Sequence, residues 1–331
     1  MTACNFQRLA AFIYDHLFAH QADNQTDNQA DNQADNQADN QADNQADNQY
    51  AISYPNHSES KPNMSRSITT GTLLLATFAL LISGCKNELG ESQTDTEIQK
   101  STAKKVLFVV TSHDEKGDTG EKTGYYLGEV THPWEVLHSA GYEIDFVSPK
   151  GGKAPVDAFD MSDPTNKKFW DDDVYRNKVE NTKTPSEVNP DDYVAIHYAG
   201  GHGAMWDFAG NNAIAEIAAK IYENNGVVSA VCHGPAGLVN IKLSVGTYLV
   251  DGKKVNAFTN EEEVKVELDE VVPFLLEDKL IERGAQFEKS EPFQEHVAVD
   301  QRLVTGQNPQ SATGVGMATL KELQKLNEAT Q

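Results

Sequence analysis

Cysteine and positive charge are scarce in this chain of 331 residues, and each shortage excludes a class of protein. Three cysteines, Cys4, Cys85 and Cys232, are too few for a disulfide framework. The 27 lysines and arginines are outnumbered by 50 aspartates and glutamates, and the formal net charge is −23. Because a nucleic-acid-binding surface is basic, nucleic acid is not expected as a partner.

Large apolar side chains are absent from residues 21–49, which repeat the letters ADNQ with one TDNQ unit at Thr26. Such a stretch cannot bury a core, so residues 1–63 are expected to form a disordered, low-complexity segment. A stretch typical of a protein start begins only at Met64. This favours Met64 as the initiator and residues 1–63 as an upstream misreading or an unusual extension.

Long apolar runs are also scarce, and the longest, residues 73–82, has the layout of a secretory signal peptide. It has about half of the roughly 20 residues that a membrane-spanning helix requires, so a membrane span is the weaker interpretation. The stretch ends at Cys85 and resembles a bacterial lipobox, which implies acylation of that cysteine. We therefore expect a signal peptide at 64–84, a tether at 85–103 and a lipid-anchored protein of the bacterial cell envelope, at the outer membrane or periplasmic face.

From residue 104 onwards, short apolar runs alternate with helical patterns, and this predicts a doubly wound, mostly parallel α/β sheet sandwiched by helices over 104–331. Strands are predicted at 104–112, 142–148, 192–198, 227–231, 254–258 and 298–304. Helices are predicted at 125–139 (broken near Pro133), 166–181, 211–223, 238–242, 269–283 and 311–326.

One stretch in this domain, 226–237, places a cysteine between a buried strand and a turn of small residues. Val227 to Val231 is a β-branched run that suits a strand buried on both faces, and Cys232 follows it at a nucleophile elbow. A helix beginning after the turn would favour an anion and lower the pKa of the thiol. The alternative is a small buried hydrophobic residue followed by a loop histidine.

Two further turns are predicted to lie at the same edge of the sheet as Cys232. They are Gly200–Gly203, after the third strand, and Thr259–Glu263, after the fifth. Ligands bind at the carboxyl edge of the strands in open α/β sheets, so the three turns together indicate an active site.

Six motifs follow one another across 104–328: KTGYYLGEVTHP at 122–133, FVSPKGG at 146–152, YAGGHGAMWDF at 198–208, AVCHGPAGL at 230–238, AFTNEEE at 257–263 and LVTGQNP at 303–309. In this order they resemble the PfpI family of the class I glutamine amidotransferase-like superfamily, and most closely its heat-shock-type glyoxalase III branch. The resemblance implies a flavodoxin-like fold.

The resemblance also implies a catalytic triad. Cys232 would be the nucleophile, His233 its proton partner and Glu263 the acidic third member. Glu261 and Glu262 remain rivals for that third role, because a run of three glutamates leaves the register open.

Further site residues are implied in the same way. Glu129 would be a general acid and base beside the cysteine, where a carboxyl group has a raised pKa. Backbone N–H groups of Gly201 and His233 would form an oxyanion hole, and His202 would line the pocket. No metal site and no cofactor are expected.

The implied reaction is the glutathione-independent conversion of methylglyoxal to lactate through a Cys232 hemithioacetal. The expected partner is therefore a small reactive aldehyde, and relatives of this kind suggest a homodimer. A cysteine peptidase, amidase or deglycase of the same superfamily is the alternative within enzymes. A holding chaperone is the alternative of another class, and it would show an exposed apolar patch.

Overall fold

The structure is a computed structural model, and it describes residues 104–329. Its strands are β1 (Lys105–Val109), β2 (Tyr125–Tyr126), β3 (Glu143–Val147), β4 (Val156–Asp157), β5 (Tyr193–Tyr198), β6 (Val227–Val231), β7 (Lys254–Val255), β8 (Gln286–Phe287), β9 (Val297–Asp300) and β10 (Leu303–Gly306). Its α-helices are α1 (Leu127–Ser139), α2 (Pro164–Asp171), α3 (Asp173–Glu180), α4 (Ala204–Asp207), α5 (Asn212–Glu223), α6 (Asn260–Lys265), α7 (Leu276–Glu282) and α8 (Ala312–Ala329).

A six-stranded sheet forms the centre of this fold, in the order β3-β1-β5-β6-β10-β9. All neighbouring pairs are parallel except the hairpin of β9 and β10. If only the five parallel strands β1, β3, β5, β6 and β10 are numbered from 1 to 5 along the chain, their order in the sheet is 2-1-3-4-5. This is the flavodoxin-like order. The predicted doubly wound, mostly parallel α/β fold is confirmed.

Strand β1 shows why the strands are continuous apolar runs in the sequence. Leu107 and Val109 belong to the core on the α5 side of the sheet, whereas Val106 and Phe108 belong to the core on the side of α1 and α8. Both faces of the strand are therefore buried, and neither needs polar residues.

Helix α1 continues through Pro133 without a break, so the predicted break is wrong. Proline has no N–H to donate to the carbonyl group four residues earlier, that of Glu129. The ring of His197 replaces this donor, because its Nε2 lies 3.1 Å from the Glu129 carbonyl oxygen. Burial lowers the pKa of His197 to about 4, and the neutral ring accepts at Nδ1 from the hydroxyl of Ser229 at 3.0 Å.

The long segment at residues 149–190, an excursion from the sheet between β3 and β5, contains the two helices α2 and α3, whereas one helix is predicted at 166–181. Asp163 caps α2 by accepting from two backbone N–H groups, and Asp172 caps α3 in the same way. Phe169 of α2 packs edge-on against Trp134 of α1, with ring centroids 5.1 Å apart. The excursion thus covers the outer side of α1.

Three other predicted elements are wrong or too long. Residues 238–242 form no helix: Leu238, Val239 and Ile241 are buried in turns, and only a 3-10 turn, Gly234–Gly237, precedes them. The helix predicted at 269–283 is reduced to α7, since Pro273 disfavours helical backbone before it. The strand at 254–258 is reduced to β7, because the N–H of Asn256 donates to the Thr305 hydroxyl.

The predicted segments 1–63, 64–84 and 85–103, together with the predicted lipidation site Cys85, lie outside the described residues. Across residues 104–329, no helix combines the length and the apolar character needed to cross a membrane.

Candidate active site

Cys232 follows β6 directly, and its backbone adopts the left-handed conformation, with φ at +58°. Two backbone hydrogen bonds hold it there: its N–H donates to Gly306, and its carbonyl accepts from Phe258, both at 2.9 Å. The turn also needs a glycine next to it, because a Cβ at Gly234 would lie 2.2 Å from the Tyr198 carbonyl oxygen. The predicted nucleophile elbow is confirmed.

The elbow brings the thiol to the ring of the adjacent histidine, with Sγ of Cys232 3.3 Å from Nδ1 of His233. The other ring nitrogen, Nε2, lies 2.9 Å from Oε2 of Glu263. A carboxylate can only accept, so Nε2 donates and Nδ1 is free to accept the thiol proton. The three buried side chains form a cysteine–histidine–glutamate chain with the order of a catalytic triad.

Glu263 binds a second histidine through its other oxygen, since Nε2 of His202 lies 2.9 Å from Oε1. Burial would raise the pKa of Glu263, but the charge of His233 and hydrogen bonds from both rings outweigh it and lower the pKa to about 2. Burial and the neighbouring His233 lower the pKa of His202. Glu263 is therefore a fixed carboxylate at neutral pH.

The start of α6 determines which of the three glutamates reaches His233. Thr259 caps the helix, and Glu262 completes a capping box by accepting from the Thr259 N–H and hydroxyl. Glu261 faces solvent and lies 3.8 Å from Lys265. The structure thus brings Glu263 to the histidine, and its catalytic role stays a prediction.

Glu129 lies on the first turn of α1 and is completely buried. Its Oε2 accepts a 2.7 Å hydrogen bond from the N–H of Gly200, whereas its Oε1 has no hydrogen-bond partner among residues 104–329. Burial raises the pKa of Glu129 to about 8, so the carboxyl is mainly protonated at neutral pH.

Gly200 is a site residue that the sequence analysis missed. A Cβ at this position would lie 2.6 Å from Oε2 of Glu129 and 2.6 Å from the backbone nitrogen of His233. The double glycine at the end of β5 was the available signal, because a backbone that approaches two other groups so closely requires glycine.

The pKa of the Cys232 thiol is raised well above its ordinary value, first by burial and then by the nearby carboxyl groups of Glu129 and Glu262. The prediction that a helix N-terminus lowers this pKa is wrong, because only a 3-10 turn begins there. The resting site therefore holds a thiol, and proton transfer to His233 would give a thiolate.

The two predicted oxyanion donors lie at the neighbouring ends of β5 and β6. Gly201 has a φ of +90°, and a Cβ there would lie 2.3 Å from the carbonyl oxygen of Gly124. The backbone nitrogen of His233 borders the adjacent Gly200. Their role as an oxyanion hole stays a prediction.

His202, His233 and Glu263 are also the group within residues 104–329 that could hold a metal ion, with ligand atoms all within 4.8 Å of one another. Two imidazole nitrogens and one carboxylate oxygen suit a divalent transition metal. The same atoms are joined by hydrogen bonds, which account for their closeness without an ion.

A sequence profile of the DJ-1/PfpI family matches residues 122–322, which include every residue of this site. The chain belongs to the DJ-1/PfpI family. The resemblance to this family that the motifs predict is therefore confirmed.

Within the family, the chain is similar to glutathione-independent glyoxalases. It is 34% identical over 235 residues to "Glutathione-independent glyoxalase HSP31" of Saccharomyces cerevisiae, covering 66% of this chain and 98% of the relative. It is 31% identical to the solved glyoxalase III of Candida albicans, with a TM-score of 0.61 and coverage of 66% and 97%. It is 43% identical to Rapid Encystment Protein 24 kDa of Francisella tularensis, with a TM-score of 0.64 and coverage of 66% and 99%.

The predicted location at the bacterial cell envelope is wrong. The curated relatives from S. cerevisiae, Schizosaccharomyces pombe and C. albicans are fungal proteins, and fungi have no such envelope. The match to the S. cerevisiae relative spans 98% of its length, which leaves almost no part of it to correspond to a signal peptide and tether. The lipid anchor predicted at Cys85 belongs to that location and is not supported either. The homodimer stays a prediction.

Proposed function

We propose that this chain is a glutathione-independent glyoxalase that converts methylglyoxal to lactate and acts as a lyase. The names of its relatives support the substrate class. The observation that carries the proposal is the position of the Cys232 thiol between two groups of opposite function: a histidine that can accept its proton and the carboxyl of Glu129, which is protonated at neutral pH.

The first step joins the substrate to the enzyme. Sγ of Cys232 bonds to the aldehyde carbon while its proton passes to Nδ1 of His233. The aldehyde oxygen takes the proton of Glu129, and the product is a hemithioacetal. Glu263 stabilises the imidazolium through the hydrogen bond to Nε2.

The second step moves a hydrogen between two carbons. Glu129, now a carboxylate, takes the proton from the former aldehyde carbon, and His233 protonates the neighbouring ketone oxygen, which gives an enediol. Glu129 then protonates the second carbon while the hydroxyl of the first returns a proton to His233. The result is a lactoyl thioester on Cys232.

Hydrolysis completes the cycle. Water adds to the thioester carbon and gives its proton to Glu129, and the departing sulfur of Cys232 takes the proton of His233. Lactate leaves, and all three groups recover their starting protonation states. This assignment uses Glu129 as both acid and base, which a pKa near working pH allows.

The burial of the site favours a small substrate over a peptide. Cys232 is 3% exposed and His233 is 1% exposed, so an extended polypeptide does not reach the thiol without rearrangement. This is the reason to rank a cysteine peptidase or amidase second.

The test measures methylglyoxal consumption and lactate formation without glutathione. The wild type and Cys85→Ala, the control, should produce lactate at equal rates, whereas Cys232→Ala should produce none above background. Wild-type turnover by Cys232→Ala would refute the mechanism. Hydrolysis of amide substrates without lactate production would support the hydrolase alternative instead.

A further inference from the structure

Glu262 is a second fully buried carboxyl group near the thiol, and the proposed reaction does not use it. Its side chain is 0% exposed, and none of the ion pairs among residues 104–329 includes it. Burying a carboxylate without a countercharge costs on the order of several kcal/mol unless protein hydrogen bonds replace those it makes to water. Its partners should therefore explain why it is there.

Four donors surround this carboxylate and come from three segments of the chain. On Oε2, the N–H and the hydroxyl of Thr259 both donate at 2.9 Å. On Oε1, the N–H of Phe293 donates at 2.8 Å and the side-chain amide of Asn308 at 2.9 Å. Glu262 thus connects the start of α6, the loop before β9 and the turn after β10.

The Phe293 backbone needs such an anchor. Its φ is +60°, a left-handed conformation that is unfavourable for a bulky residue and persists where its surroundings hold it. Its ring centroid lies 6.2 Å from that of Phe258, and the Phe258 ring lies 4.4 Å from the ring of His233. A continuous set of contacts therefore runs from Glu262 to the triad histidine.

We propose that Glu262 is a positioning residue: by fixing the backbone of Phe293, it holds the aromatic pair Phe258–Phe293 against His233 and keeps that ring aligned between Cys232 and Glu263. The capping box gives Glu262 a structural role at α6, but Phe293 and Asn308 lie outside that box. Their two hydrogen bonds are what connect the cap to the catalytic ring.

The charge of Glu262 has a second effect on the same site. After burial and Glu129, it is the next contributor that raises the pKa of Cys232. A neutral side chain at position 262 should therefore make the thiol more acidic while loosening the histidine. A residue with a purely structural role would do neither.

The experiment compares Glu262→Gln with Glu261→Gln, which removes an exposed carboxylate from the adjacent position. The pH dependence of Cys232 alkylation by iodoacetamide is followed by mass spectrometry of its peptide. Methylglyoxal turnover is measured in parallel, and this part rests on the proposed function. Alkylation needs no substrate, so a wild type without glyoxalase activity would refute that function and leave the alkylation test intact.

We expect Glu262→Gln to shift Cys232 alkylation to lower pH and to reduce kcat about tenfold, with KM within about twofold of the wild type. Glu261→Gln should match the wild type in both assays. Unchanged alkylation and kcat in Glu262→Gln, or equal changes in both variants, would overturn the proposal.

Phe293→Gly removes the aromatic ring and keeps the charge of Glu262. It tests the positioning role if Glu262→Gln does not fold. Glycine accepts the positive φ, so the backbone hydrogen bond to Glu262 can remain. We expect a lower kcat with wild-type alkylation, because the carboxylate is kept and the ring is lost. Wild-type kcat in this variant would overturn the positioning role.

Discussion

The N–H of Gly200 donates a 2.7 Å hydrogen bond to Glu129, and this contact joins the end of β5 to the first turn of α1 inside the active site. It leaves the other oxygen of the carboxyl, Oε1, without a hydrogen-bond partner in the part of the chain that the structure describes. In the proposed reaction, the unpartnered oxygen is the one that exchanges protons with the substrate.

Replacing Gly200 by alanine should displace Glu129, because the added Cβ would meet both Oε2 of Glu129 and the backbone of His233 at 2.6 Å. We expect kcat/KM for methylglyoxal to fall about 100-fold and unfolding free energy by about 1–3 kcal/mol. Gly210→Ala is the control, since no atom lies within 4 Å of its added Cβ. Equal activity of the two variants would contradict the role of Gly200.

Replacing Glu129 by glutamine should remove the proton donor while keeping an oxygen for the Gly200 N–H. We expect kcat to fall about 100-fold or more. Above about pH 8, where Glu129 is ionised and its charge raises the pKa of Cys232, the thiol of the variant should also alkylate faster than that of the wild type. A variant with slower alkylation would contradict the electrostatic link between the two side chains.

The same substitution should change how stability depends on pH. The pKa of Glu129 rises on folding from 4.5 to about 8, so the folded state keeps a proton that the unfolded state loses between these values. Wild-type stability therefore falls as pH rises through that range, by on the order of 3 kcal/mol from pH 4.5 to 7. Denaturant titrations should show Glu129→Gln gaining on the wild type over this interval, and parallel curves would contradict it.

Glu263 should show the opposite dependence. Its pKa falls on folding from 4.5 to about 2, so its contribution is complete above pH 4.5 and is lost progressively as pH drops toward 2. The stability difference between the wild type and Glu263→Gln should shrink by on the order of 2 kcal/mol from pH 4.5 to 3. Glu261→Gln, at an exposed position, should change stability little. A difference for Glu263→Gln that does not vary with pH would be inconsistent with the assignment.

Zinc should inhibit the enzyme reversibly. An ion held by His202, His233 and Glu263 would replace the two N–H protons that now bind the carboxylate. Nδ1 of His233 would then carry the ring proton and could not accept that of Cys232. Titration should give one bound Zn²⁺ per chain, and EDTA should restore activity. Zn²⁺ should bind at least about tenfold more weakly to His202→Ala and as tightly as to the wild type in Cys232→Ser. Loss of binding in Cys232→Ser alone would place the ion on the thiol instead.

The secondary structure could be predicted where the residue types of a segment match its burial in the fold. Val227–Val231 is buried on both faces and β-branched, so the sequence indicates the strand with its exact ends. The segment 238–242 also has three large apolar residues, Leu238, Val239 and Ile241, but there they are buried in turns. Apolar content alone cannot separate these two outcomes, because both are buried and only one has neighbouring strands to pair with.

The site was predictable through motifs, and its energetics were not. The residues Cys232, His233 and Glu129 follow from the resemblance, yet the direction of the thiol pKa depends first on the burial of the thiol and then on the two carboxyl groups beside it. The register of Glu261, Glu262 and Glu263 looked open. The Thr259-to-Glu262 spacing of a capping box could have fixed it, because a box at position 262 assigns the next residue to the histidine.

The proline in α1 has a consequence for how the enzyme responds to heat. Because Pro133 has no N–H, the carbonyl of Glu129 is hydrogen-bonded to His197 instead. Glu129 is therefore held to the sheet by its main chain and to the end of β5 by its side chain. We therefore expect the Glu129 carboxyl to stay in place as long as the sheet is intact. Activity should be lost at the same temperature as the cooperative unfolding of the domain and not in an earlier, local transition.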